Sequence, residues 1–126
     1  MKLKILLFVN AIFFFINGIC ALLIPVTVLS LYGVTPGPEQ NFMGQYAGMG
    51  SIAIALITWL SRNIADSVAK RSIIPALLIY FVIGVIVSFL GTISGVMNSI
   101  GWSLVLIYLL FAIGYAYFMI RKPIDL

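Results

Sequence analysis

The chain has 126 residues, of which 63% are hydrophobic and 8% charged, with a formal net charge of +4. A soluble domain carries about 25% charged residues, so this composition excludes an ordinary water-soluble core and makes lipid the solvent for most of the chain. The length allows one domain, and the basic residues sit at the ends of apolar runs rather than in a patch, which excludes nucleic acid as a partner.

Apolar stretches at about 3–31, 41–60, 73–93 and 100–120 predict an all-α, antiparallel four-helix transmembrane bundle. Each meets the roughly 20 residues that a helix needs to cross a hydrocarbon core. A β-barrel would show alternating segments of roughly ten residues, and none appear.

The first stretch follows Lys2 and Lys4 and imitates a signal peptide. Its apolar run is longer than the roughly 7–15 residues of a signal core. Ile19 is also large where a lipoprotein cleavage site before Cys20 needs a small residue, so the segment is expected to remain as a transmembrane helix. Pro25 predicts either a kink or an early end followed by a shallow interfacial turn. Tyr32 to Pro38 then reads as a loop, with Gly33, Pro36 and Gly37 between them, and Glu39 follows as its only charge.

In the second stretch, Gly44, Ala47, Gly48, Ser51 and Ala55 recur at three- and four-residue steps and so share a helix face. Small residues let a second backbone approach closely, which in lipid replaces the hydrophobic effect between helices. This face is the expected packing centre. Gln45 and Tyr46 lie in the outer part of the same helix.

The loop at about 61–72 holds Arg62, Lys70 and Arg71 beside Asp66, with a short interfacial helix expected over 65–70. Pro75 suits the first turn of the third helix. That helix carries Tyr80, Gly84, Ser88, Gly91, Thr92 and Gly95 on one stripe, and the fourth carries Tyr108, Ala112 and Tyr115. Trp59 and Trp102 mark opposite interfaces. Arg121, Lys122 and Pro123 are expected to stop the fourth helix.

All seven Lys and Arg residues fall at the termini or in the middle loop, on one side of an even number of spans. The excess of positive charge on cytoplasmic loops predicts that both termini face the cytoplasm of a cell-membrane protein.

The Asp, Glu, Lys and Arg residues are confined to the termini and loops, and the chain has no His. Proton relays, coupled transport and metal sites need such groups within the membrane, so no catalytic residue, metal ligand or cofactor is expected. Cys20 has no second thiol to pair with. Asn10, Asn17, Gln45, Tyr80 and Tyr108 are the candidate ligand contacts. Their plainer role is an interhelical hydrogen bond, worth roughly 0.6–2 kcal/mol in lipid, or a headgroup contact for Gln45. Gly44, Gly48, Ser51, Gly84, Ser88 and Gly91 are the candidate packing residues. Met43, Met49, Met97 and Met119 read as flexible packing.

Leu23 and Pro25 lead to Leu31-Tyr32-Gly33-Val34, and a small-residue helix ends in Trp59-Leu60-Ser61-Arg62-Asn63. Later come Ser94-Gly95, Asn98, Gly101-Trp102 and an aromatic fourth helix from Phe111 to Tyr117. This pattern resembles the small four-helix prokaryotic membrane proteins of the DoxX-like group over nearly the whole chain. The group implies no shared activity and no catalytic residues. Small multidrug exporters carry a glutamate in their first helix, and sterol-isomerase-like proteins rely on acidic residues in the membrane; both features are missing here.

The expected function is that of a non-enzymatic membrane protein that packs against a partner, its own copies or a lipid. An oligomeric carrier or channel for an apolar or neutral solute is one alternative. An accessory subunit of a quinone-linked oxidoreductase is another, implied only by the resemblance. The expected partners are the bilayer, further copies of the chain or another membrane protein.

Overall fold

The computed structural model describes residues 2–64 and 67–120. Among them the regular structure is helical, in the order α1 (Leu3–Leu23), α2 (Pro25–Leu31), α3 (Pro38–Ser61), α4 (Ser67–Arg71), α5 (Ile74–Ile93) and α6 (Gly101–Ile120). Four helical segments are long and apolar enough to cross a membrane: α1, α3, the segment Val68–Ile93 and α6. Ala65, Asp66 and the expected stop at Arg121 to Pro123 lie outside the described residues.

The expected first helix is divided. Proline disfavours helical geometry in the residue before it, and Ile24 leaves the helix with φ −132° and ψ 56°. Pro25 then opens α2, where its missing N–H costs nothing. Gly33, at φ 75°, ends α2. Its N–H bonds to Ser30 O at 3.0 Å, and Val34 N–H bonds to Leu29 O at 2.9 Å. That pair of bonds closes the helix as a Schellman motif, whose left-handed residue favours glycine. The loop after α5 fastens the same turn: Asn98 N–H bonds to Tyr32 O at 2.8 Å, and Asn98 Nδ2 bonds to Leu31 O at 3.1 Å.

The long helices form two tight pairs. α1 crosses α3 where Gly18 meets Gly48. A Cβ on Gly18 would lie 2.9 Å from Gly48 O, and one on Gly48 would lie 3.0 Å from Gly18 O. Only glycine lets the backbones come this close. In the second pair, Gly84 of α5 gives the Tyr108 ring of α6 its place, 3.0 Å from where a Cβ would stand.

An aromatic wedge joins the pairs. Phe14 of α1 meets Phe81 of α5 edge-on, with centroids 5.5 Å apart. Phe81 in turn stacks on Phe111 at 5.0 Å and on Tyr115 at 5.6 Å, both from α6. Leu3, Leu7, Ile74, Leu77 and Phe118 extend this core toward the end of the bundle that carries Lys2 and Arg71. Most other large apolar side chains point outward, as a lipid-facing surface requires.

Candidate functional site

The wedge fills one half of the bundle and leaves the other half open. A cavity of about 470 Å³ lies there, between α1–α3 on one side and α5–α6 on the other, under α2. Val28 and Leu29 of α2, with Met97 of the α5–α6 loop and Leu104 of α6, supply apolar wall. The α3 wall is made of Gly44, Ala47, Gly50 and Ser51. A Cβ on Gly50 would meet nothing within 4 Å.

The small residues of α3 therefore serve two purposes. Gly48, Ser51 and Ala55 are buried, with Gly48 at the crossing with α1. Gly44 and Ala47, on the same broad face, border the cavity instead. Gly50 lies about 60° further round the helix than Ala47. Missing side chains close space at Gly48 and open it at Gly50.

Polar groups are few and converge on this space. Asn17 Nδ2 donates to Ser51 Oγ at 3.1 Å, which holds the amide across the α1–α3 seam. Tyr80 and Tyr108 pack edge-on with centroids 6.4 Å apart, and both line the cavity. Tyr32 completes the set from the α2 end. Burial pushes its phenol above the ordinary tyrosine value, so it stays a neutral donor. The amide and hydroxyls can hydrogen-bond a carbonyl or hydroxyl group of a bound molecule. No cluster of metal-ligating side chains occurs among the described residues.

Three of the sequence candidates, Asn17, Tyr80 and Tyr108, thus line one cavity. Asn10 does not. It is fully buried, and its Nδ2 donates to Tyr115 Oη at 2.6 Å, tying α1 to α6 on the far side of Phe14. Gln45 faces outward, and its Nε2 donates to Leu22 O at 3.2 Å beside Phe42 and Tyr46. Ser88 is buried in α5, and Gly91 faces the Met97 methyl group.

Sequence reasoning passed over Gly18, Tyr32 and Gly50. Gly18 carries a readable signal, since Ala11, Gly18 and Ala21 stand seven and three residues apart and so share one small-residue face of α1. Its partner Gly48 could not be read from spacing within either helix. Comparison with known proteins finds no matching family model, no matching curated protein and no matching solved structure.

Proposed function

We propose that this protein binds one lipid-soluble molecule with a polar head, held in the chamber between its two helix pairs. The observation that carries this reading is the convergence of Asn17, Ser51, Tyr80 and Tyr108 on a space otherwise walled by apolar side chains. Ligand pockets run to about 300–1,000 Å³, with a few polar groups in an apolar lining, and this chamber falls within that range at about 470 Å³.

The role is binding rather than catalysis. Acid–base chemistry needs a group that changes protonation near the working pH. Asparagine and serine side chains do not, and neutral phenols serve as donors. The spans alternate in direction, with both termini and the Arg62–Arg71 loop in the cytoplasm, because all seven basic residues then share that side. The chamber accordingly belongs to the outer half of the cell membrane.

Mass spectrometry of the purified protein and its solvent extract tests this reading. The parent should carry a defined lipid-soluble species at close to one per chain. Gly50→Phe should fold equally well by circular dichroism, since its ring enters open space, and should lose that species. A parent that carries no defined species, or a variant that keeps it, contradicts the proposal.

A further inference from the structure

A second cavity, of about 300 Å³, lies on the outer face of the α1–α3 pair and shares no residue with the chamber. Ala11, Ile12 and Phe15 of α1 form one wall, and Ala55, Leu56 and Trp59 of α3 form the other. The groove is almost wholly apolar, as an acyl chain requires.

Its Trp59 end is strongly basic. The Arg62 guanidinium lies over the Trp59 ring, 3.6 Å from the centroid, and one of its nitrogens donates to Trp59 O at 2.9 Å. Guanidinium has five N–H donors, so most remain for another acceptor. Lys70 Nζ donates to Arg62 O at 3.1 Å, and Lys4 is near enough to act on Lys70 electrostatically. Phe8 of α1 packs on Trp59 at 5.9 Å and joins the Lys4 end of α1 to the groove. Glu39 belongs to the opposite end of the bundle, at the start of α3. Among the described residues, Lys2 precedes α1, Lys4 lies in its first turn, Arg62 follows α3, and Lys70 and Arg71 end α4.

We propose that this groove holds an anionic phospholipid, with an acyl chain between α1 and α3 and the headgroup phosphate on Lys4 and Arg62, inside the field of Lys70. Basic pockets between transmembrane helices recognise anionic headgroups in this way. Guanidinium matches the geometry of phosphate oxygens. The Trp59 ring holds Arg62 at the groove mouth, where a headgroup would sit.

The chain has two tryptophans, and they report on opposite ends. A Trp102→Phe variant leaves Trp59 as the only tryptophan, read by excitation at the red edge where tyrosine does not absorb. It is reconstituted in phosphatidylcholine vesicles that contain an equal minor fraction of either brominated phosphatidylglycerol or brominated phosphatidylcholine. Brominated phosphatidylglycerol should quench Trp59 at least roughly fivefold more effectively per molecule, since one basic contact alone gives about that preference and two are proposed. High salt should bring that ratio toward one. So should the double substitution Lys4→Gln, Arg62→Gln. In a Trp59→Phe variant, Trp102 should show no preference.

Equal quenching of Trp59 by the two lipids overturns the proposal. So does a preference that survives high salt, or one that is just as large at Trp102. The salt series uses the unaltered basic cluster, so it can overturn the proposal even where the double substitution fails to fold.

Discussion

Asn10 places a polar amide in a fully buried position. Its Nδ2 has one partner, Tyr115 Oη at 2.6 Å, and its Oδ1 has none. A buried polar group left without a partner costs more than the net value of the bond it loses. Tyr115→Phe should therefore lower stability by roughly 1–2 kcal/mol, although the ring can still stack on Phe81. Adding Asn10→Leu should restore most of that loss, because removing both partners leaves nothing unsatisfied. Unfolding in graded detergent mixtures, followed by circular dichroism, measures both effects; a double variant as weak as Tyr115→Phe alone would contradict this. At this scale the sequence was partly legible. Asn10, Asn17, Tyr80 and Tyr108 stand out as polar groups in apolar runs. Their partners do not, because Tyr115 is 105 residues from Asn10 and Ser51 is 34 from Asn17.

Among the elements, the α1–α3 crossing sets how near the two helices can come. A side chain on Gly48 meets Ala21 Cβ at 3.0 Å, Gly18 O at 3.0 Å and Leu22 Cγ at 3.2 Å. Gly48→Leu should destabilise the fold by about 1–3 kcal/mol, since backbone and branched side chains must both move. Leu56→Ala trims a side chain that is half exposed and should change stability by less than about 0.5 kcal/mol. Equal melting temperatures in detergent would show that the crossing is not a tight contact. The positions of the long helices were legible because apolar runs and prolines bound them. The break between α1 and α2 was not, since a proline permits a kink as readily as an end. Ile24 and the closure at Gly33 decide it, and Asn98 of a distant loop holds that closure. Small residues mark a place where a wall is thin, and only the neighbouring helices determine whether it is filled, as at Gly48, or left open, as at Gly50.

The whole molecule is two close-packed pairs held apart at one end by the geometry that joins them at the other. Phe14, Phe81, Phe111 and Tyr115 fill the end near the basic residues. The opposite end keeps its chamber because α2 leaves the line of α1 at Pro25. Orientation is tested in a Cys20→Ala background: a cysteine at Thr35 should react with an impermeant thiol reagent from outside intact cells, and one at Asn63 should not; the reverse pattern would invert the topology. Occupancy of the chamber is tested most directly by fluorine NMR of protein made with 3-fluorotyrosine, whose six signals are assigned by single Tyr→Phe variants. Stripping the protein of bound lipid and adding back a solvent extract of the parent membranes should move the Tyr80 and Tyr108 signals reversibly and leave those of Tyr46 and Tyr117 in place. Tyr80 and Tyr108 signals that stay fixed, or six signals that move alike, would contradict a ligand held between the helix pairs.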